Sequence, residues 1–230
     1  MSITLVTGAS QNHFKSLCQF LRSVEQYSIW KNVYVYDLGL NEESRVYLQT
    51  IFSIILRTFE YERYPSFFNI NVNWGEYAWK PAIIKEIVQE VQQGLLLWCD
   101  SGNRITNGIY RIMDLIKQQG IYSPDSNGNV QKWSHPGMLS YFSILKGDPI
   151  LSLCCRNGAI LGFDLDQSCV VEVIAEYNRL AHIKECIAPE GSSRDNHRQD
   201  QALFTILYYR YTSNQVLDTS LNIHIHQDCD

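Results

Sequence analysis

Hydrophobic runs and amphipathic stretches alternate through the first 120 residues of the chain. The runs are short and rich in aliphatic and aromatic residues, which is typical of strands. The predicted strands are Ile3–Thr7, Val33–Tyr36, Ile54–Phe59 and Leu95–Cys99. The stretches between them carry apolar residues three and four positions apart and are predicted helices. This alternation predicts an α/β fold in which right-handed crossovers build a mostly parallel central sheet flanked by helices.

Capping residues mark where the predicted helices begin and end. Asn41 can cap the second helix, and Pro81 fits the first turn of the third. Gly94 ends that third helix and delivers the chain into the strand Leu95–Cys99. Because this strand is apolar throughout, we expect it to be buried on both faces of the sheet.

The pattern after residue 120 is less regular. The polar segment 121–132 carries turn signals and is predicted to be a mobile loop. The further predicted elements are strands over Ile150–Cys155 and Ala159–Phe163, a helix from Asp166 to His182, a buried helix around Leu203–Tyr208, and an edge strand over Gln215–His226. Without repeats or a linker, residues 1–230 are predicted to form a single domain, with a regular half over 1–120 and a more irregular half over 121–230.

An aspartate directly follows the most hydrophobic strand. Asp100 comes after Leu95–Cys99, and open α/β sheets bind their ligands at the carboxyl ends of such strands. Asp100 and Ser101 could instead simply turn the chain. Lys80, at the start of the helix before this strand, could point toward the same crevice or be a solvated lysine.

Composition narrows the class of protein. The net charge is −5 and the sequence pI is about 5.7, so we expect no nucleic-acid partner, whose binding surface would be basic. The seven cysteines are odd in number and scattered, which predicts reduced thiols and a cytoplasmic location. The sequence shows neither a signal peptide nor a run long enough for a transmembrane segment.

A lone glycine turn near the start suggests a dinucleotide-binding fold, but only weakly. The segment Val6–Ser10 is followed by Gln-Asn-His, whereas the fingerprint of that fold needs three glycines at fixed spacing. A reductase is therefore the least favoured hypothesis.

Seven separate blocks match one family in the same order. They are TGASQNHF (7–14), VYVYDLGL (33–40), YAWKP (77–81), LWCDS (97–101), HPGM (135–138), CIAP (186–189) and HRQDQ (197–201). The chain resembles a glycosyltransferase-like family of unknown function, related to the nucleotide-sugar transferases of GT-A fold. The resemblance implies a GT-A, Rossmann-like fold, a nucleotide-diphosphate sugar donor such as a UDP-sugar, and a hydroxyl acceptor such as a glycan. It assigns the first half to the donor and the second to the acceptor.

The resemblance also implies a divalent metal, Mn²⁺ or Mg²⁺, held by an acidic motif after the central strand. Here that motif is Asp100-Ser101-Gly102, so the first acid is present and the last is a glycine. Asp100 and Ser101 would face the donor, and Asp100 would bind the metal. A histidine near the end of the chain, His224 or His226, could complete the ligands or could face solvent.

Asp200 and Gln201 are the predicted catalytic residues. By the resemblance, Asp200 would be the general base of an inverting enzyme, or Asp200 or Gln201 would lie on the opposite face of the donor in a retaining one. Asp200 could also cap a helix. His135 would line the acceptor side or tether a loop.

The remaining expected contacts are with the nucleotide. Lys80 and Arg198 are the cations assigned to the diphosphate. Thr7, Ala9 and Asp37 end the first two strands, where the resemblance implies contact with the nucleoside. Asp37 could equally form the turn Asp-Leu-Gly.

These residues favour a glycosyltransferase that moves a sugar to a hydroxyl acceptor in glycan biosynthesis, assisted by a metal. The alternative is a catalytically inactive protein that binds a nucleotide sugar or serves as a scaffold, which the missing second acid favours.

Overall fold

A six-stranded sheet forms the centre of the molecule in the computed structural model, which describes residues 2–212 and 218–229. The strands, including two in a separate small sheet, are β1 (Ile3–Ala9), β2 (Trp30–Asp37), β3 (Ile55–Thr58), β4 (Leu95–Cys99), β5 (Ile121–Tyr122), β6 (Asp125–Asn129), β7 (Cys154–Arg156) and β8 (Ile160–Asp164). The central order is β3-β2-β1-β4-β8-β5. The first four are mutually parallel, and β8 runs antiparallel to both β4 and β5. The predicted mostly parallel sheet is confirmed.

Helices cover both faces of this sheet. They are α1 (Phe14–Val24), α2 (Glu42–Ile51), α3 (Trp79–Val91), α4 (Ile109–Gln119), α5 (Val130–Trp133), α6 (Pro136–Tyr141), α7 (Ser168–Ala181), α8 (Lys184–Ile187) and α9 (Gln199–Thr212). The predicted cap is present, since the Asn41 side chain accepts a hydrogen bond from the Ser44 amide at 2.8 Å. In the described part of the chain, no helix is long and apolar enough to cross a membrane.

The alternation of side chains along β4 divides the core into two layers. Leu96 and Trp98 pack with α3, α7 and α9, whereas Leu95, Leu97 and Cys99 pack with α1, α2 and α4. All five side chains are buried, as expected for a strand covered on both faces. The carboxyl end of β4 therefore lies between two helical layers.

The segment 121–132, predicted to be a mobile loop, is structured. Ile121 and Tyr122 are fully buried and pair with β8, so their side chains and backbone are both satisfied. The following polar residues form β6, which pairs with β7, and Asn129 then caps α5 by accepting from the Lys132 amide. The prediction was wrong because the partner strand, β7, is distant in sequence and invisible to local composition.

Two predicted strands differ from the structure. Residues 149–152 form a 3-10 turn instead of the start of a strand, because the Asp148 carboxylate accepts from the Ile150 amide and holds the chain in a turn. The predicted edge strand Gln215–His226 lies partly on residues 215–217, outside the described residues. Over residues 218–229 the chain forms no strand, only an isolated bridge between Arg104 and His224.

Candidate functional site

A cavity of about 270 Å³ opens at the carboxyl edge of the parallel strands. Its walls come from the ends of β1 and β4, the loop between β7 and β8, the start of α9 and the C-terminal residues His226 and Asp228. This is the edge at which open α/β sheets bind ligands, because the loops there diverge on either side of the sheet. Of the predicted site residues, Ala9, Lys80, Asp100, Ser101, Asp200 and Gln201 line the cavity.

A buried lysine joins the two predicted acids. The Lys80 ammonium lies 3.2 Å from Asp100 Oδ1 and 2.8 Å from Asp200 Oδ2, and it donates to the Gly158 carbonyl at 3.0 Å. The Lys80 side chain is 3% exposed and that of Asp200 is 6% exposed, whereas that of Asp100 is 39% exposed. Three residues that are 20 and 100 positions apart in sequence thus form one ion-pair network.

The pKa values of this network follow from burial and charge. Burial alone would lower the pKa of Lys80, but the carboxylates of Asp100 and Asp200 outweigh it and raise that pKa above its ordinary value. Burial raises the pKa of Asp200, and Lys80 offsets only part of the rise. Lys80 therefore remains charged at neutral pH, while Asp200 has a greater proton affinity than an ordinary aspartate.

A tryptophan side chain helps to hold Asp100 in position. Trp98 Nε1 donates to Asp100 Oδ1 at 2.6 Å, and the Lys80 ammonium lies 5.6 Å from the centre of the Trp98 ring. Since the Trp98 side chain is buried in the core, it holds one carboxylate oxygen of Asp100 and leaves the exposed part of the group to the cavity.

A left-handed turn forms another wall. Residues Asn73–Tyr77 all have positive φ, between 48° and 64°, and Trp74 and Tyr77 line the cavity. Gln199 Nε2, next to Asp200, donates to Glu76 Oε2 at 3.3 Å, so the turn is joined to the start of α9. Five consecutive left-handed residues are costly, and such strain clusters at functional sites.

His197 connects three of the matching blocks behind the cavity. Its Nδ1 accepts from the His135 amide at 3.2 Å, and its Nε2 lies 2.8 Å from the Ile187 carbonyl, which requires the neutral Nε2–H form. Burial lowers the pKa of His197 to about 4. His135 itself accepts from the Gly137 amide at 3.1 Å and caps α6, so its loop-tethering role is the one the structure shows.

The predicted nucleoside contacts divide into two kinds. Ala9 lines the cavity, but Thr7 is fully buried within β1, and its Oγ1 has no hydrogen-bond partner among the described residues. Asp37 is 1% exposed, and its carboxylate accepts from the Gly39 and Leu40 amides and pairs with Arg45. For Asp37 the turn-forming alternative is therefore the one that the geometry supports.

Arg198 and His224 lie away from the cavity. The Arg198 guanidinium stacks over Trp133, 3.9 Å from the ring centre. The backbone of His224 bridges to Arg104, which leaves its side chain exposed. Arg194 and His226 line the cavity instead.

The lining residues that the sequence did not single out include a histidine, an arginine and an aspartate. His13 follows the first turn, Arg194 belongs to the polar segment before Asp200, and Asp228 is near the end of the chain. Arg194, 5.2 Å from the Tyr77 ring centre, lies in the polar segment 190–201, and the density of polar residues there was a signal that could have marked it. Asp228 carried none, since no periodicity or motif leads from it to β4.

A divalent metal requires several oxygen or nitrogen ligands close together. Within residues 2–212 and 218–229, no three His, Cys, Asp or Glu side chains are grouped closely enough to hold a metal. The carboxylates of Asp100 and Asp228 nevertheless line the same cavity. One or two carboxylates are what a Mg²⁺-type site uses when phosphate oxygens of the substrate supply further ligands. These two carboxylates would fit a metal only if a bound ligand supplied further oxygen atoms.

Residues 1–85 match the family model described as a protein of unknown function (DUF1647). No curated protein matches the chain in sequence.

Solved structures of glycosyltransferases share the fold over most of this chain. The galactosyltransferase LgtC, in complex with donor and acceptor sugar analogues, is 15% identical with a TM-score of 0.58, covering 87% of this chain and 68% of its own. Mouse xyloside xylosyltransferase 1 is 10% identical with a TM-score of 0.57, and the match covers 95% of this chain and 86% of the xylosyltransferase. The glycosyltransferase GlyE of Streptococcus pneumoniae TIGR4 is 14% identical with a TM-score of 0.52, and the match covers 92% of this chain and 44% of GlyE. The chain is an α/β protein with the GT-A fold of glycosyltransferases, in agreement with its resemblance to a glycosyltransferase-like family of unknown function.

Proposed function

We propose that this protein is a glycosyltransferase that moves a sugar from a nucleotide-diphosphate sugar to a hydroxyl acceptor such as a glycan. The observation that carries the proposal is the Lys80–Asp100–Asp200 network, placed in the cavity at the carboxyl edge of a GT-A sheet. A purely structural ion pair would not need a half-exposed carboxylate directed at a cavity.

On the donor side, Asp100, Ser101 and Ala9 are the residues positioned to meet the nucleotide. A UDP-sugar or GDP-sugar carries two phosphates, and Arg194 is a cation that lines the cavity to receive them. Lys80 acts on this donor through Asp100, because its own ammonium is already engaged by two carboxylates and a carbonyl.

A metal such as Mn²⁺ or Mg²⁺ would neutralise the charge that develops on the departing nucleoside diphosphate. Asp100 is the residue of the strand-end motif that would hold it. The proposed reaction is therefore assisted by a metal.

At the reacting carbon, Asp200 and Gln201 are the candidates. The raised pKa of Asp200 suits a carboxylate that accepts a proton from an acceptor hydroxyl, which is the inverting case. In the retaining case, Asp200 or Gln201 would face the donor sugar from the opposite side. Both side chains lie at the start of α9, close to Gly158, where a Cβ would lie 3.1 Å from Gln201 Cβ.

The alternative is an inactive protein that binds a nucleotide sugar. The observation that favours it is Gly102, which replaces the second acid of the strand-end motif.

The cytoplasmic location remains a prediction, supported by seven free cysteines.

Nucleotide binding and donor turnover distinguish these functions. UDP or GDP at about 100 times its Kd should stabilise the protein by about 2.7 kcal/mol, and we expect a higher Tm that EDTA reverses. Donor-sugar hydrolysis should be lost in Asp100→Ala but retained in Asp114→Ala, a matched control on the exposed face of α4. Binding without hydrolysis would support the inactive alternative, and no response to either nucleotide would contradict both.

A further inference from the structure

The space beside Gly102 is filled by a carboxylate from another part of the chain. A Cβ built on Gly102 would lie 2.7 Å from both Asp228 Cγ and Asp228 Oδ2, and closer still to Oδ1. Gly102 is the second residue after Asp100, where the strand-end motif lacks its second acid. Asp228 therefore brings a carboxylate to the point from which an aspartate side chain at residue 102 would extend.

Backbone contacts on both sides hold Asp228 in this place. The Gln227 amide donates to the Gly102 carbonyl at 2.7 Å, and the Cys229 amide donates to Ser16 Oγ at 2.9 Å. Upstream, the Arg104 amide donates to the His224 carbonyl at 2.8 Å. The segment 218–229 is thus attached to the β4–α4 loop and to α1, so the position of Asp228 is fixed by the fold.

Among the residues that the structure describes, Asp228 makes one long ion-pair contact, and it lines the cavity. Its side chain is 49% exposed, and its ion-pair contact is with His13 Nδ1 at 3.6 Å. The ion pairs of the buried Lys80 are with Asp100 and Asp200. Asp100 and Asp228 are consequently two partly exposed carboxylates in one cavity, whereas the third lining aspartate, Asp200, is buried.

We propose that Asp228 is the second acid of this site, holding a divalent cation together with Asp100 while the diphosphate of a bound nucleotide supplies further oxygen ligands. Carboxylate and phosphate oxygens are the ligands that Mg²⁺ and Mn²⁺ prefer. The inference rests on the proposed nucleotide-sugar donor and adds to it the residue that replaces the missing acid.

This assignment also accounts for the glycine. The φ of Gly102 lies outside the left-handed region, so its backbone would accept a side chain. What opposes a side chain there is the Asp228 carboxylate. The acid and the glycine are therefore two parts of one arrangement, and exchanging them should preserve the cation site.

Mn²⁺ binding in the presence of UDP tests the proposal directly. Free Mn²⁺ is measured by electron paramagnetic resonance while MnCl₂ is titrated into the protein with saturating UDP. Asp228→Ala should weaken Mn²⁺ binding by at least the ~10- to 100-fold that loss of an outer-shell partner costs a metal site. The double variant Gly102→Asp/Asp228→Ala should recover most of that loss, because it returns a carboxylate to the same space.

The matched control is Gly102→Ala/Asp228→Ala, which adds the Cβ without the carboxylate and should bind Mn²⁺ as weakly as Asp228→Ala. The proposal is overturned if Asp228→Ala binds Mn²⁺ as tightly as the wild type, or if the wild type binds UDP but no Mn²⁺. It is also overturned if the two double variants behave alike. Because the readout is Mn²⁺ binding, a wild type that binds Mn²⁺ and UDP but hydrolyses no donor would contradict the transferase and leave the role of Asp228 standing.

Discussion

Lys80 organises the acids of the site, and although it lines the cavity its ammonium is engaged by oxygens of the protein itself. A lysine ammonium has three N–H donors, and the ammonium of Lys80 has three close oxygen neighbours, from Asp100, Asp200 and Gly158. Burying these charges is costly unless each is paired, so the three residues depend on one another. The prediction that Lys80 contacts the diphosphate gains no support from this geometry, and a positioning role fits it better.

His197 gives the protein a specific sensitivity to acid. Because its pKa falls from 6.5 to about 4 on folding, the unfolded chain takes up the proton first as the pH drops. The neutral, buried His197 contributes its full share to the free energy of unfolding above pH 6.5, and this contribution is lost as the pH falls toward 4. At 1.36 kcal/mol per unit of pKa shift, the loss is about 3 kcal/mol. We predict that the difference in unfolding free energy between the wild type and His197→Gln narrows by about this amount between pH 7.5 and 4.

Urea denaturation at a series of pH values measures that difference. The variant serves as the reference for every other acid-sensitive group in the protein, since those groups titrate in both chains. A difference that stays constant across this pH range would show that His197 is not held in its neutral form.

At the scale of elements, the left-handed turn Asn73–Tyr77 is the most unusual segment. Each non-glycine residue there costs roughly 1–2 kcal/mol relative to a right-handed conformation. Side-chain hydrogen bonds offset part of this cost: Asn73 Nδ2 donates to Glu76 Oε1 at 2.7 Å, and Trp79 Nε1 donates to the Trp74 carbonyl at 3.1 Å. The result is a rigid wall that presents two aromatic side chains to the cavity.

Gly75 is the residue on which this turn depends. With φ of +64°, it lies so close to residue 68 that an added Cβ would meet the Phe68 carbonyl group and approach Trp79 Cδ1 to 2.9 Å. Gly94, with φ of +89°, has no atom within 4 Å of the same position. We predict that Gly94→Ala costs about 1–2 kcal/mol of stability from φ strain alone, and that Gly75→Ala costs clearly more.

Equilibrium unfolding in urea compares the two variants. Both substitutions add one methyl group at a left-handed glycine, so their difference isolates the collision beneath the turn. Equal losses would mean that the turn can shift away from residue 68 without cost.

The elements that the sequence predicted well are those whose own run of hydrophobic residues marks where they begin and end. The strand Leu95–Cys99 was predicted with its observed bounds because it is apolar throughout and ends at a charge. In contrast, β5 has two residues and β6 is polar, so both depend on partner strands that are distant in sequence.

The site divides in the same way. Asp100 and Lys80 were found because they stand at the ends of predicted elements, and Asp200 through its matching block. Asp228 was not found, because its place depends on backbone contacts of the C-terminal segment with Gly102 and Ser16.

At the scale of the whole molecule, the two halves of the sequence share one sheet. The parallel strands of the first half end at β4, and β8 from the second half pairs with the whole length of β4. Removing the second half would expose the edge of β4 and the apolar faces of Leu96 and Trp98, which α7 and α9 help to cover. The division at residue 120 into a donor-binding half and an acceptor-binding half therefore remains a proposal. It does not correspond to two separately packed cores.

We therefore predict that both halves unfold in a single cooperative transition. Buried cysteines report on each half: Cys99 lies in β4, while Cys155 and Cys186 lie in the second half and are also buried. In pulsed alkylation at increasing urea concentrations, with mass spectrometry to locate the label, all three thiols should become reactive at the same midpoint. Cys169, which is exposed, should react at every concentration and calibrates the labelling. A lower midpoint for Cys155 and Cys186 than for Cys99 would show that the second half can open while the parallel strands stay folded, and the shared sheet would then not make the molecule one cooperative unit.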